Sequence, residues 1–537
     1  MYCQLEYLAN CPPVHIQRAL DELPATLDET YECTLQEIKD TNLEYASRLL
    51  LCIVVAYHPL RVEELAEILA FDFEARPIPE FCKECHLTNP VAAVLSTYST
   101  LLTLVNVRDY CLFHGYNNHQ VAHFSVKEFL TSTRFAEKHD SISSLYHISM
   151  TPAHTVITQA CLGMLFHLDQ TVTQDSLSQF PLVNYAAKYW FEHACFEGVL
   201  QNAEEGMKQL FDQMKPYLSI WLWIHDPTVH SWLRSKGAEG PFPLRETPLH
   251  YAAFCSLHDI AKNLATRYPN DVNSWSFDDG LMPLYLTSRQ GHVDVAWMLV
   301  ECSADASVQD KDRSTLLHLA LSHSHVDVAW MLVECGADAS VQDKDRSTPL
   351  HLASSKGHVD MSQMLMEHST NMSVQDKDRS TPLHLASSKG HVDVAQMLVE
   401  RSADVSVQDK DRSTLLHLVL SHSHVDVARM LVECGTDVSV QDEYGSTPLH
   451  LVFSKGHVDV AWMLVERGTD VSVQDSTLLH LALFYSHVDM AWMLAEHGTD
   501  ASVQDEYGRT PLHLALSHSH VDMAWMLVEH SANLPST

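Results

Sequence analysis

The chain has 537 residues and carries 34 basic against 69 acidic side chains, a formal net charge of −35. Its hydrophobic fraction of 46% is high enough to build folded cores and excludes a chain that is disordered throughout. The acidic surface argues against nucleic acid or an anionic membrane as the main partner, because both carry negative charge. Thirteen cysteines, an odd number without a dense framework, indicate free thiols in a reducing compartment, and we expect a cytoplasmic protein.

The first half of the chain shows no internal repeat, and its apolar pattern predicts short helices. A helical segment is expected over 14–48, a buried helix over 45–57 and an amphipathic helix over 61–70. Further on, residues 120–124 alternate like a short strand, and Ser125 opens the next helix. Helices followed by a small strand pair predict a compact α+β module.

Several segments of this half resemble one family of signalling proteins. The winged-helix region that follows the nucleotide-binding module of fungal NLR-like (NACHT-type) signalling NTPases is similar to four of them: LPATLDETYE (23–32), HPLRVEELAEIL (58–69), VLSTYSTLLTLV (94–105) and VAHFSVKEFL (121–130). The helical region that comes next in that family is similar to CLGMLFHL (161–168) and FPLVNYAAKYWFEHA (180–194). The resemblance implies an intramolecular regulatory module. DNA binding is disfavoured, since the helix over 61–70 is mainly acidic.

The family's P-loop, G-x-x-x-x-G-K-[S/T], does not occur in this sequence, so we predict no ATPase activity. Met1 falls where the resemblance implies that the nucleotide-binding module is ending. Two interpretations stay open at this point: a truncated product, or a paralogue that has lost its motor.

Two places in the sequence offer side chains that could bind a metal. Cys82 and Cys85 form a lone C-x-x-C, and Cys111 and His114 follow 26 and 29 residues after Cys85. A zinc site at these four residues is the alternative to ordinary thiols, which we favour because no second pair has the usual spacing. Without a nucleophile elbow, a zinc-protease motif or a phosphate loop, the sequence predicts no enzyme, no cofactor and no metal centre.

The second half of the chain is repetitive from about Leu244. The tetrad Thr-Pro-Leu-His, or a close variant, begins at nine positions: Thr247, Met282, Thr315, Thr348, Thr381, Thr414, Thr447, Thr477 and Thr510. The steps between them are 33 residues, apart from a first step of 35 and one of 30 before Thr477.

A 33-residue period that opens with T-P-L-H resembles the ankyrin repeat. Threonine suits the helix N-cap, and proline suits the first helical position, where a missing N–H costs nothing. The resemblance implies that the tetrad histidine forms hydrogen bonds locally and to the next repeat. It also implies stacked units that recognise protein ligands.

The predicted fold class is therefore mainly α, an α-solenoid of ankyrin repeats preceded by a helical and small α+β winged-helix-like module. We divide the chain into a helical remnant of the nucleotide-binding module (1–48), a winged-helix-like module (49–140), a helical connector (141–240) and an array of nine units (241–537).

Many turn glycines of the unit are replaced, and we expect their substitutes to adopt left-handed backbone at roughly 1 kcal/mol each. Serine stands at the inter-helix glycine (Ser324, Ser423, Ser486, Ser519), arginine at the hairpin glycine (Arg313, Arg346, Arg379, Arg412), and serine at the helix exit (Ser303, Ser369, Ser402, Ser531). The histidines are interpreted as packing residues. The His-Ser-His turns at 323–325, 422–424 and 518–520 are the second place weighed for a metal, but no third ligand is specified.

Three surfaces of the array are candidate protein contacts. The residues are Lys344, Asp345, Arg346, Tyr444 and Tyr507 at the hairpin tips, Lys356, Lys389 and Tyr485 on the inner helix face, and Trp297, Trp330, Trp462, Trp492 and Trp525 on the outer helices. The alternative for the tryptophans is packing on a neighbouring repeat's methionine. The last unit has no polar capping helix, so self-association through that end is expected unless a partner covers it.

Three functions follow from these patterns. The first is the ligand-recognition arm of a fungal NLR-like signalling protein that lacks its NTPase. The second is a free-standing ankyrin scaffold without a nucleotide switch, and the third, more remote, is a metal-dependent enzyme.

Overall fold

The computed structural model describes residues 26–36, 38, 43–73, 78–82, 104–107, 118–121, 124–138, 141–227, 240–241, 244, 246–276, 281–368, 371–466, 475–496, 501–505 and 507–533. The chain forms two compact units, Met1–Pro248 and Leu249–Thr537. Helices dominate both, so the predicted fold class, mainly α, is confirmed. Within the described ranges, the helices are too short or too polar to cross a bilayer.

The first unit contains short helices and two small antiparallel sheets. In chain order its elements are α1 (Leu27–Gln36), α2 (Leu43–Val55), α3 (Val62–Leu69), β1 (Phe71–Asp72), β2 (Glu80–Phe81), β3 (Leu104–Val107), β4 (Asn118–Val121), α4 (Phe124–Leu130), α5 (Thr133–Ala136), α6 (Ser141–Tyr146), α7 (Met150–His167), α8 (Gln174–Leu177), α9 (Val183–Ala194), α10 (Val199–Leu210) and α11 (Tyr217–Ile224). Strand β1 pairs with β2, and β3 pairs with β4. Helices α2 and α3 confirm the two helices expected there.

Helix α7 is the centre of the first unit and packs against α2, α9 and α10. Its residues are apolar nearly all round, as a buried helix requires, and Ala153, Ile157 and Cys161 are fully buried. Gly163 lies where α7 meets the β1–β2 sheet, and a Cβ there would lie 2.6 Å from the carbonyl oxygen of Pro79. The glycine therefore lets the sheet lie directly on the helix.

The strand predicted over 120–124 was wrong at its end. Strand β4 is described over Asn118–Val121, and Phe124 is already the first residue of α4. In the described residues β4 pairs with β3, and Leu104 lies opposite Val121. Alternation along one strand does not carry that register.

The second unit is a succession of helix pairs, each pair one repeat. The pairs are α12 (Pro248–Phe254) and α13 (His258–Arg267); α14 (Pro283–Gln290) and α15 (Val293–Glu301); α16 (Leu316–Ser322) and α17 (Val326–Glu334); α18 (Pro349–Lys356) and α19 (Val359–Glu367); α20 (Pro382–Ser388) and α21 (Val392–Glu400); α22 (Leu415–Ser421) and α23 (Val425–Glu433); α24 (Pro448–Lys455) and α25 (Val458–Glu466); α26 (Asp475–Phe484) and α27 (Val488–Glu496); α28 (Pro511–Ser517) and α29 (Val521–Asn533). First helices pack on first helices of the next repeat, and second helices on second helices.

Most repeats are fixed by the histidine of their tetrad, whereas the second repeat has Tyr285 at that place and Nε2 of His384 is buried without a hydrogen-bond partner. The backbone N–H of Thr348 donates to Nδ1 of His351 over 3.1 Å, and the threonine hydroxyl lies 2.8 Å from the same nitrogen. Because Nδ1 accepts, the proton is on Nε2, which donates to the carbonyl of Ser380 in the next repeat over 3.1 Å. The same link joins His250 to Leu281, His318 to Ser347, His417 to Ser446 and His480 to Arg509. The hydrogen bonds implied by the family resemblance are confirmed.

The substituted glycine positions adopt left-handed backbone, as predicted, with φ between 56° and 69°. They include Arg313, Arg346, Arg379 and Arg412 at the hairpins, Ser324, Ser423, Ser486 and Ser519 between helices, and Ser303 and Ser402 at helix exits. Ser531 corrects the prediction, because α29 continues through it to Asn533. A helix leaves through a left-handed residue where the chain turns into the next hairpin, and no hairpin follows α29 in the described residues. Ser369 lies outside them.

A second histidine in each repeat sits at the turn and depends on the glycine of the preceding repeat. His391 donates from Nε2 to the carbonyl of Ser355 over 3.1 Å, and a Cβ on Gly357 would lie 2.6 Å from its ring. Where serine replaces that glycine, at Ser324, Nε2 of the following His358 is buried without a hydrogen-bond partner. His520, after Ser486, has lost its bond in the same way. Two serine turns keep a bond, since His292 beside Ser256 bonds to the Phe254 carbonyl and Nε2 of His457 lies 3.1 Å from the Ser423 hydroxyl.

We therefore expect Ser324→Gly to stabilise the array by about 1–2 kcal/mol, from relief of the left-handed strain and one regained hydrogen bond. Urea unfolding of the full chain measures the change. The reciprocal variant Gly357→Ser is the matched control and should destabilise, because its Cβ meets the His391 ring. A neutral or destabilising Ser324→Gly, with Gly357→Ser neutral, contradicts this account.

Mild acid should loosen the array. Burial lowers the pKa of the tetrad histidines from 6.5, to about 4 at His384 and in the same direction at His318, His351 and His417. Between these values the unfolded chain binds more protons than the folded chain, so the free energy of unfolding falls as the pH falls from 6.5 towards about 4. Hydrogen exchange over 348–422, corrected for its intrinsic pH dependence, should be faster at about pH 5 than at about pH 7.5.

The variant His384→Gln, which removes the histidine with the lowest pKa of these four, should reduce that pH difference. Corrected exchange that is unchanged or slower in acid is the contrary result.

Candidate protein-binding surfaces

Neighbouring hairpin tips are joined by a ladder of contacts. The backbone N–H of Lys344 donates to the carbonyl of Asp312 over 2.8 Å, and the lysine ammonium lies 3.0 Å from the Asp312 carboxylate. Lys410 repeats this with Asp378, at 3.0 Å and 2.8 Å. Hydrogen bonds to these carboxylates raise the pKa of both lysines, and the bond from Lys410 lowers the pKa of Asp378. Exposed pairs of this kind order the tips more than they stabilise the fold.

The candidate triplet Lys344, Asp345 and Arg346 lies within this ladder. The carbonyl of Asp345 accepts from the backbone N–H of Lys377 over 2.8 Å, and its carboxylate lies 3.7 Å from the Lys377 ammonium. Arg346 donates from Nη2 to the carbonyl of Gln375 over 3.3 Å. All three residues thus hold a neighbouring repeat, and their charges are partly neutralised before any ligand arrives.

The tips change character at Glu443. Its backbone N–H still donates to the carbonyl of Asp411 over 3.0 Å, but a carboxylate now stands where the earlier repeats have an ammonium. Tyr444 is 84% exposed and Tyr507 is 73% exposed, and the Arg509 guanidinium lies 4.9 Å from the Tyr507 ring centre. The later tips therefore present open aromatic rings instead of paired charges.

An inner row of exposed side chains runs along the ends of the first helices, one residue per repeat. It consists of Gln290, His323, Lys356, Lys389, His422, Lys455, Tyr485 and His518. The structure thus places three candidate residues, Lys356, Lys389 and Tyr485, at equivalent positions of different repeats. Each stands eight residues after the first residue of its tetrad.

The outer tryptophans are half-buried. Trp297, Trp462 and Trp492 are 37–39% exposed, Trp525 is 67% exposed, and Trp330 is less exposed than these. The middle repeats carry Gln363, Gln396 and Arg429 at the same place, which separates a pair of tryptophans from a group of three. Beside Trp462, an open groove of about 440 Å³ is lined by Arg429, Glu433, Asp459 and Met463.

Comparison with known proteins identifies the repeats. The family model "Ankyrin repeats (3 copies)" matches residues 249–343, 317–409, 401–475 and 471–537, which together exceed half of the chain. The chain is an ankyrin-repeat protein. Such repeats are interaction modules, and they give the second unit a protein-binding role.

A relative shares part of this chain. The azaphilone pigments biosynthesis cluster protein L of Monascus ruber is 28% identical over 298 residues, which cover 53% of this chain and 61% of that protein. The chain thus spans about three-fifths of the length of the curated relative it matches, and the name of that relative states no molecular activity.

The last ankyrin repeat exposes a face that its predecessors cover. Leu516 is 63% exposed, whereas its equivalents Leu321, Leu420 and Leu483 are buried beneath the following repeat. On α29, Val521, Trp525 and Val528 are 45–67% exposed. This face continues the stacking interface of the ankyrin array, and apolar surface of this kind marks a contact site.

Of the two places that could bind a metal, the structure describes the His-Ser-His turns and only part of the cysteine site. Of the four residues weighed for zinc, Cys82 is described, whereas Cys85, Cys111 and His114 lie outside the described residues. In the first His-Ser-His turn, the rings of His323 and His325 lie parallel with centres 6.2 Å apart. Nδ1 of His323 lies 3.0 Å from a helix carbonyl and Nε2 of His325 lies 3.0 Å from another. Across the part of the chain with described structure, no three His, Cys, Asp or Glu side chains converge as ligands.

Sequence reasoning missed a buried polar chain in the first unit. Nδ1 of His154 lies 2.9 Å from Nδ1 of His193, whose Nε2 lies 2.8 Å from the Tyr185 hydroxyl. That hydroxyl accepts from the backbone N–H of Tyr57 over 3.4 Å. Burial lowers the pKa of His193 to about 3 and raises that of Tyr185, so both of these side chains are neutral at pH 7. No spacing signal links these residues, because α7 and α9 bring them together only on folding.

Glu67 of α3 is a second buried polar group of the first unit. Its side chain is 1% exposed and accepts from the Leu182 backbone N–H over 2.6 Å, and burial raises its pKa to about 8. The neighbouring Glu64 pairs with Arg61 at 2.8 Å, and Arg61 donates to the Pro181 carbonyl. These contacts anchor α3 to the start of α9, and they turn inward much of the acidic side that had argued against DNA.

Proposed function

We propose that this ankyrin protein is a non-catalytic interaction protein, the ligand-recognition arm of a fungal NLR-like signalling protein that lacks its NTPase. The observation that carries the proposal is the long ankyrin array with open rows of side chains at its tips and along its inner row. Its ligand is a protein, held by the candidate residues of the tips, the inner row and the outer tryptophans.

Features of the first unit support the NLR-like part of the proposal. Helices α2 and α3, the antiparallel hairpin β3–β4 and helix α4 follow one another in the order expected of a winged-helix-like module. Helices α7 and α9 contain most of the segments 161–168 and 180–194, which carry the resemblance to the helical region. On this proposal the chain divides at 48, 140 and 240, and it works in the cytoplasm, where free thiols persist.

The alternative is a free-standing scaffold. It is favoured by one observation, that no P-loop occurs in the sequence, so no nucleotide switch acts within this chain.

Site-specific photo-crosslinking in cells tests the protein-binding role. A photoreactive phenylalanine at Tyr485, in the inner row, should crosslink to a partner protein, because this side chain is exposed on a binding surface. The matched control carries the same group at Leu200, which is exposed on the first unit. Equal adducts at both positions, or none at either, would count against recognition by the array.

We also propose self-association through the last repeat, since its exposed apolar face continues the stacking interface. The double variant Leu516→Ser, Trp525→Gln introduces residues that other repeats carry at these places, Ser354 and Gln363. Light scattering across a concentration series should show association of the parent chain, and the association constant of the variant should be lower by about tenfold or more. Association that is unchanged in the variant would place the interface elsewhere.

A further inference from the structure

The inner row differs in charge from the array that carries it. Beyond residue 240 the sequence has 19 basic and 40 acidic residues, a net charge of 19 − 40 = −21. From His323 to His518, the row contains three lysines, three histidines and one tyrosine, and no acid. A line of lysines and histidines therefore runs along an acidic array.

The lysines of the row are open, in contrast to those of the tips. Lys344, Lys377 and Lys410 each pair with an aspartate of the preceding tip. Lys356, Lys389 and Lys455 are exposed and make no ion pair with any described residue. The chain thus holds one set of three tip lysines that pair with aspartates and one set of three row lysines that make no ion pair with a described residue.

The histidines of the row are held in line with the lysines. Nδ1 of His323 donates to the carbonyl of Leu319 over 3.0 Å, and the Ser322 hydroxyl lies 3.0 Å from the same nitrogen. His422 and His518 make the equivalent bonds, to Leu418 and Leu514. Each ring is therefore fixed on its helix end, and its Nε2, which carries no proton in this tautomer, can accept a hydrogen bond from a peptide N–H or hydroxyl group of a ligand.

The spacing of the row matches an extended chain. Packed helices lie about 8–10 Å apart, so successive row residues advance by about that distance. A peptide in the polyproline II conformation has three residues per turn and rises about 3.1 Å per residue, so every third side chain lies on the same face, about 9 Å further on, and meets the next repeat.

An aromatic pair interrupts the row near its end. Phe484 and Tyr485 are 50% and 49% exposed, and their rings meet edge to face with centres 5.1 Å apart. The position of Phe484 is serine in every other repeat from Ser322 to Ser517. This pair offers an apolar seat beside the charged part of the row.

We propose that the inner row docks an extended acidic segment of a partner protein, with a carboxylate at about every third residue and an apolar side chain seated on Phe484 and Tyr485. This rests on the proposed protein-binding function and names its partner chemistry. Nucleic acid fits less well. It carries a charge every few ångströms and would meet one cation per repeat on a body of net charge −21.

Fluorescence anisotropy with the full chain tests the proposal. The probe is a labelled synthetic peptide of about 15 residues, five Glu-Ala-Ser triplets ending in leucine, and the comparison peptide has lysine in place of glutamate. We expect saturable binding of the acidic peptide that weakens as salt is added, and no binding of the lysine peptide.

Matched variants locate the site. Lys356→Ala, Lys389→Ala, Lys455→Ala combined should weaken binding by about tenfold or more, whereas Lys311→Ala, Lys377→Ala, Lys410→Ala combined, with the same loss of charge at hairpin tips that are not candidate contacts, should change it by less than about threefold. Phe484→Ser should weaken binding of the peptide with leucine and not of one without it. Circular dichroism and melting confirm that each variant is folded.

Several results would overturn the proposal: no binding of the acidic peptide, equal losses in the two lysine triples, or tighter binding of a single-stranded oligonucleotide that needs the row lysines. Crosslinking from Tyr485 to a protein, together with no binding of the acidic peptide, would leave the protein-binding function standing and remove the acidic partner alone.

Discussion

The hydrogen bond from a tetrad histidine to the carbonyl before the next tetrad is the interaction on which the ankyrin array depends. Its helices are mostly seven to nine residues long, too short to be stable by themselves. His351 closes the cap of its own helix through Nδ1 and holds the next repeat through Nε2. Acceptance at Nδ1 needs a neutral ring, and burial lowers the pKa of His351, which keeps it neutral. Local capping and stacking are therefore one event.

The other links between repeats are more variable. Turn histidines bond across to the preceding repeat where glycine leaves room, and His358 after Ser324 has lost that bond. Tip lysines pair with the preceding aspartate until Glu443 reverses the charge. A solenoid tolerates such losses because its stability is a sum of local terms, so one weak link does not unfold its neighbours directly. The tetrad histidine carries the link in most repeats, and the tips and turns diverge more.

The same periodic stacking turns single positions into surfaces. At the tips it brings opposite charges together, so Lys344 and Asp345 hold the array before they meet a ligand. Along the inner row it places basic residues next to one another, so Lys356 and Lys389 make no ion pair with a described carboxylate. On the outer helices it groups the tryptophans at both ends and leaves polar residues in the middle. The rows therefore differ in whether their charged groups are already paired within the array or are open to a ligand.

The sequence by itself determined the repeat, its caps and the left-handed positions, because these depend on residues within one period and on local backbone energy. The mainly helical first unit was also predictable from apolar spacing. Only the tertiary structure decided the register of β4 against β3, the helical backbone at Ser531 and the pairing of the tip lysines. It also brought His154 to His193, which lie 39 residues apart on different helices. Each of these depends on what packs against a residue, and that partner is not written in the neighbouring sequence.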